Sequence, residues 1–243
     1  MDTRPIQQAL TPIAIALTFA SGAADVTSFT RLGDVFTSVM TGNIVLWGLA
    51  AARGSLTLFS HTAVSIAGYI AGVAGATWIA HGFRPASPGE DQGQAAVPPA
   101  HVVRVLSAEL TLLAGFAAGW EISGASPAGW AQFCLLAALA AAMGVQSAAV
   151  RDMGLAEVST TYLTGTLTGL VASLARPGQD TPHGPRRFGV LIGLVAGASL
   201  CGLLVATAAV VVPFLPLAAL VFTLVLAWRS GWPWPALRRS GEP

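Results

Sequence analysis

Six stretches of this chain are long and apolar enough to cross a bilayer, and that repetition constrains the fold more than any other feature. They lie at roughly 10–30, 57–81, 102–121, 129–150, 187–206 and 209–228. A helix needs about 20 residues to span a hydrocarbon core of about 30 Å. Inside lipid every backbone polar group must be satisfied within the protein, which leaves helices or a closed barrel, and runs of this length are helical. Only 9% of the 243 residues are charged, against about a quarter in a soluble domain. That is too little polar surface to coat a water-soluble particle. The expected class is an all-α integral membrane protein with membrane lipid as its surroundings.

Two further stretches, 34–52 and 157–175, are shorter and more polar, dense in Thr, Ser and Gly. The expectation is therefore six strong transmembrane helices plus two short polar ones, either re-entrant or broken. A net charge of +1 excludes nucleic acid as a partner, since a basic domain would be needed. Near the N-terminus, Arg4, an apolar run and then Ser21-Gly22-Ala23-Ala24 have the outline of a cleavable signal. Pro12 within the run, and a counterpart later in the chain, favour a retained first span.

That counterpart belongs to an internal repeat. Thr41-Gly42-Asn43 matches Thr164-Gly165-Thr166 at an offset of 123, and Leu32, Asp34, Val35 and Thr37 meet Leu155, Glu157, Val158 and Thr160 at the same offset. Gly68 and Gly72 match Gly193 and Gly197 at an offset of 125. Each half reads as a strong span, a short polar segment, a Gly-striped span and a final span. The halves are residues 1–122 and 129–243 of one membrane domain, with the polar loop 82–100 near the middle. All 12 basic residues are Arg, and their placement sets orientation. Eight crossings would divide them 8 to 4 and make the repeats parallel; six would divide them 10 to 2 and make the repeats inverted. Both arrangements put both termini in the cytoplasm of a cell whose plasma membrane the chain crosses.

Asp25 lies inside the first span, where a carboxylate costs about 2.5–3.5 kcal/mol on insertion scales and so faces a cavity or a partner. It could hold a proton, a cation or a cationic substrate; it could equally bond a neighbouring hydroxyl or Arg31. In the second half Gln146-Ser147 stand opposite Ala23-Ala24, and Ala148 opposite Asp25. Thr41, Gly42 and Asn43, with Thr164, Gly165 and Thr166, are the residue types that line a break in a helix and bind a ligand there, or that let helices pack closely. Glu109, inside the third strong span, is either a second coupling carboxylate or the partner of Arg104. Glu121, Asp152 and Glu157 fall at span ends and read as interfacial. Gly68, Gly72 and Gly75 form a small-residue packing stripe, and Trp228, Trp232 and Trp234 an interfacial belt.

Cys134 and Cys201 sit in apolar runs and read as small side chains packed between helices. His61, His81, His101 and His183 have no metal-ligand spacing, so neither metal nor cofactor is expected. No HExxH, GxSxG or P-loop occurs, so no enzyme or nucleotide-driven pump is expected either.

The stretch GAADVTSFTRLGDVFTSVMTGNIVLWGLA resembles the first-half signature of the YoaK family of multi-pass bacterial membrane proteins, which pairs an Asp in its first span with a following MTGN. MGVQSAAVRDMGLAEVSTTYLTGTLTGL is similar to the second-half signature, with its G-Q and TGT elements. Asp25, Met40 to Asn43, Gln146 and Thr164 to Thr166 are the matching positions; Ser147 stands where the family pattern has Asn. The resemblance implies about six spans in a bacterial inner membrane and supplies no substrate. The functional expectation is a small secondary transporter or permease for a small molecule or ion, its site lined by Asp25 and the two TG motifs at the junction of the halves. The alternative is a non-transporting membrane scaffold or regulator in which those motifs only pack helices.

Overall fold

Among the described residues, lipid-compatible sequence becomes eight α-helices. The coordinates are a computed structural model, and they describe residues 4–82, 100–155, 163–175 and 184–232. The helices are α1 (Arg4–Arg31), α2 (Met40–Arg53), α3 (Leu56–His81), α4 (His101–Ile122), α5 (Trp130–Asp152), α6 (Leu163–Leu174), α7 (Gly184–Thr207) and α8 (Phe214–Arg229). There is no strand among the described residues. Six helices there are long and apolar enough to cross a membrane, and they are the six expected stretches. α2 has 14 residues, a length of about 21 Å, too short for the hydrocarbon core.

The chain is a membrane protein by its outer surface as well as its length. Ile70, Trp78, Ile192, Val195, Leu203, Phe222 and Trp228 stand exposed on α3, α7 and α8, where lipid rather than water is the favourable neighbour. α1 and α5 form the centre, and most of each is enclosed by other helices. Ser21, Gly22, Ala23 and Ala24, the small residues with the outline of a cleavage site, lie buried in the middle of α1.

Small residues decide how the helices meet. A Cβ added at Gly72 would lie 2.1 Å from the Ala141 carbonyl oxygen, and one at Gly144 would lie 2.3 Å from that of Tyr69. These contacts bring α3 onto α5 at backbone distance. α1 meets α7 in the same way: a Cβ at Gly197 would lie 2.1 Å from the Phe19 carbonyl oxygen, and one at Gly22 would lie 2.3 Å from that of Leu194. Without a hydrophobic force between helices in lipid, such close van der Waals packing supplies much of the association. Gly75, expected in the same stripe, faces open space.

Side-chain contacts sort the helix ends into two sets. At one end Arg31 donates to the Val205 carbonyl (2.9 Å), Gln132 donates to the Arg31 carbonyl (3.1 Å), and Trp120 donates to the Ala209 carbonyl (2.9 Å). The C-terminal ends of α1, α4 and α7 therefore meet the start of α5 and the turn before α8. At the other end His101 at the start of α4 bonds Asp152 at the end of α5 (3.0 Å). Arg31 and Arg53 lie at the first end; Arg4, Arg104, Arg151, Arg186, Arg187 and Arg229 lie at the second.

The expected helix 34–52 starts late. Residues 32–39 are not helical, and α2 begins only at Met40. The chain leaves α1 through Gly33 (φ 111°) and Asp34 (φ 58°), left-handed conformations that Gly and Asp tolerate. A side chain at Gly33 would also strike the His61 ring, 2.1 Å away. The segment then folds back alongside α1 to Asp25, six residues inside the helix end. From there α2 returns as a hairpin with α3, closed at Gly54 and Ser55, whose hydroxyl caps α3 by accepting from the Leu58 N–H. The segment dips in and comes back to the end it left. In the second half, residues 156–162 lie outside the described region, along with Glu157, Val158 and Thr160 of the expected repeat, and so do His183 and Trp234.

Candidate functional site

Two of the singled-out residues grip the same three-residue stretch. The Asp25 Oδ1 accepts the backbone N–H groups of Thr37 and Ser38, each at 2.8 Å, and the Thr37 hydroxyl at 3.3 Å. Its Oδ2 accepts the Ser38 hydroxyl. All three residues are buried. The charge that would be costly alone in lipid is thus met by four donors. Arg31 takes no part, because its guanidinium is turned to Val205.

Asn43 holds the residue before. Its Oδ1 accepts the Phe36 N–H (2.9 Å), while its Nδ2 donates to the Phe36 carbonyl (2.6 Å) and to the Ser65 hydroxyl on α3 (3.0 Å). Ser65 in turn donates to the same carbonyl. An unwound backbone inside a membrane must have its N–H and C=O groups satisfied by protein. Asp25, Asn43 and Ser65 do this for the N–H groups of Phe36, Thr37 and Ser38 and for the Phe36 carbonyl. Thr41 is exposed and Gly42 packs against the Phe36 ring, 3.4 Å from where its Cβ would be.

Beside this clamp lies a cavity of about 310 Å³ between α1, the 32–39 segment and α7. Phe29, Phe36, Val39, Leu194 and Ala198 make its walls, and Asp25 is the one ionisable residue in its lining. α2 starts at its edge, where Val39 provides no side-chain cap, so the first N–H groups of that helix have no side-chain acceptor.

The other expected residues are dispersed. Gln146 is on α5 and donates to the Leu17 carbonyl (3.1 Å) and the Ser21 hydroxyl (2.8 Å), one turn of α1 away from Asp25; its Oε1 is buried with no partner among the described residues. Thr164 and Gly165 are exposed on α6, and Thr166 is buried. Glu109 is fully buried on α4, and neither of its oxygens has a hydrogen-bond partner among the described residues. Arg104, its expected partner, is exposed. Helical geometry explains the miss: a spacing of five residues puts two side chains on different faces of a helix, whereas three or four would align them.

Two further expectations are corrected. Cys134 is exposed on α5, although Cys201 is packed between helices, 3.2 Å from the Thr27 hydroxyl. Trp228 faces outward as a belt residue should, but Trp232 is buried, because Gly231 (φ 73°) turns the chain and the Trp232 N–H bonds the Ala227 carbonyl. Asp152 stands at the end of its span, as an interfacial residue does, and is gathered there with His81 and His101. Sequence spacing could not bring those three together, since they come from three helix ends.

Comparison with known proteins supplies a family for the chain. Residues 13–227 match the family described as "Protein of unknown function (DUF1275)". The chain belongs to this family. It is also 30% identical over 159 residues to the UPF0700 transmembrane protein YoaK of Bacillus subtilis (strain 168), an alignment covering 65% of this chain and 64% of that protein. The chain thus matches less than two thirds of the length of that YoaK relative. No solved structure matches the chain. The family description names no chemistry, so chemistry has to come from the site.

Proposed function

We propose that this DUF1275 protein is a small secondary permease whose substrate site is the cavity beside the clamped segment. The observation that carries this reading is an unwound stretch of backbone, held by Asp25 and Asn43 inside the membrane, bordering an open apolar space. Broken or short helices at membrane depth persist where they line a cavity, and they mark central sites in transporters built from inverted repeats. The apolar walls suit a small organic molecule with an apolar body, and the Asp25 carboxylate behind them would draw one cationic group. Asp25 Oδ2 has the Ser38 hydroxyl as its one donor, so it retains acceptor capacity.

We infer further that the halves are inverted repeats. This is supported by the helix contacts. A Cβ at Gly22 would lie 2.3 and 3.0 Å from the backbone of Leu194 and Ala198, the same distances at which one at Gly144 would lie from the backbone of Tyr69 and Val73. The register of these contacts moves the counterpart of Asp25 from Ala148 to Ser147. α2 returning to the end it left makes three crossings per half, which supports the 10 to 2 division of Arg and a cytoplasmic location for the end bearing Arg4 and Arg229.

One observation favours the alternative of a non-transporting scaffold: both Asp25 oxygens are already engaged by Thr37 and Ser38, a packing role. Flux separates the two. Proteoliposomes should take up tetraethylammonium or benzyltrimethylammonium faster than protein-free vesicles, and Asp25→Asn should remove the difference. Equal flux in wild-type, Asp25→Asn and protein-free vesicles for both cations would favour the scaffold.

A further inference from the structure

Away from the clamp, at the opposite end of the bundle, two imidazoles converge on one carboxylate oxygen. His101 Nε2 lies 3.0 Å and His81 Nε2 3.7 Å from Asp152 Oδ2. Ligand atoms from the three side chains all fall within 4.8 Å of one another. The two rings stand edge to face, with centroids 4.9 Å apart and planes inclined at 65°. Asp152 Oδ1 is left to Arg151, whose Nε is 3.9 Å away.

These separations have a meaning for a metal. Zinc takes N ligands at about 2.0–2.1 Å and O ligands at about 2.0–2.2 Å in tetrahedral geometry, which places neighbouring ligand atoms about 3.3–3.5 Å apart. The two measured separations fall on either side of that value. His101 and Asp152 side chains are mostly enclosed, while His81 is half exposed. Three protein ligands with one open side match the pattern of a zinc site that keeps a water as its fourth ligand. Imidazole with a single carboxylate suits a borderline divalent transition ion better than Mg²⁺ or Ca²⁺, which favour all-oxygen sets.

We propose that His81, His101 and Asp152 bind one divalent transition-metal ion of the zinc class, clipping the ends of α3, α4 and α5 together. His81 and His101 are the last residue of α3 and the first of α4, so the ion closes the base of the connection 82–100. The site is independent of the permease reading, since it lies at the other end of the helices from the clamp.

Untagged protein in detergent, stripped with a chelator, is titrated with Zn²⁺ by calorimetry and with Co²⁺ by absorption. The expected result is one equivalent per chain, with a Co²⁺ spectrum of tetrahedral N/O coordination. His81→Gln, at a half-exposed position that folding tolerates, and Asp152→Asn should each weaken binding by more than the ~10–100-fold that loss of a second-shell partner costs. Metal-free Tm of His81→Gln should equal that of metal-free wild type, which separates lost binding from lost folding. No saturable Zn²⁺ binding by the wild type, or binding unchanged in His81→Gln and Asp152→Asn, overturns the site and leaves a hydrogen-bonded His–Asp pair.

Discussion

Replacing Asp25 should release the segment 32–39 without unfolding the bundle, in a graded way. Asp25→Ala removes the acceptor of two backbone N–H groups, those of Thr37 and Ser38, both residues fully buried. Each buried donor left unpaired costs about 1–3 kcal/mol, so the engaged state loses about 2–6 kcal/mol relative to the released one. At about 1.4 kcal/mol per tenfold, the open population should rise between roughly 30-fold and 10⁴-fold. Asp25→Asn keeps an amide oxygen where Oδ1 accepts those N–H groups, and the Ser38 hydroxyl can turn to accept from the new amide. It loses only the charge assistance, about 1 kcal/mol, or roughly fivefold to tenfold. Hydrogen exchange of the protein in lipid nanodiscs, followed by mass spectrometry, reads this directly. Peptides covering residues 32–39 should lose protection strongly in Asp25→Ala and slightly in Asp25→Asn, while α3 and α5 keep theirs. Unchanged exchange over 32–39 in Asp25→Ala, or a loss spread evenly over all helices, would refute the clamp.

Two stability measurements probe the rest of the architecture. Gly72→Ala puts a methyl 2.1 Å from the Ala141 carbonyl oxygen and forces α3 off α5; overpacking of this kind costs about 1–3 kcal/mol and should lower Tm, whereas Gly75→Ala, with open space around it, should leave Tm unchanged. Glu109→Met should hold or raise Tm, because it replaces a buried carboxylate that has no described partner with an apolar side chain, relieving about 1–3 kcal/mol of unpaired polar burial; a clear drop in Tm would mean that Glu109 is satisfied in the folded protein.

The six spans were legible because lipid leaves helices little choice: length and apolarity alone locate α1, α3, α4, α5, α7 and α8. That Asp25 and Asn43 must have partners was also legible, since a carboxylate and an amide in such apolar surroundings need them. Their partners were not. Asp25 binds residues 12 and 13 positions further on, across a reversal that no periodicity encodes. The pattern 34–52 read as a short polar helix, re-entrant or broken, with no residue marking where the helix starts; the competition of the Asp25 and Asn43 side chains for the backbone of Phe36, Thr37 and Ser38 keeps its first part unwound. Gly68 and Gly72 could be assigned to packing by their spacing, but Gly75 could not be separated from them, because the next close approach depends on where α5 lies. The His81, His101 and Asp152 cluster was invisible for the same reason, each residue being unremarkable at its own helix end.

The central claim is that the 32–39 segment carries a water-accessible site into the membrane from the end that bears Arg31 and Arg53. Val39 sits at the cavity edge and is partly exposed. In a Cys134→Ala background, Val39→Cys should react with a charged, membrane-impermeant methanethiosulfonate applied from the side opposite the termini, and excess tetraethylammonium should slow the reaction. Labelling of Val39→Cys only by a lipid-soluble maleimide, with no reaction to the charged reagent from either side, would contradict the account.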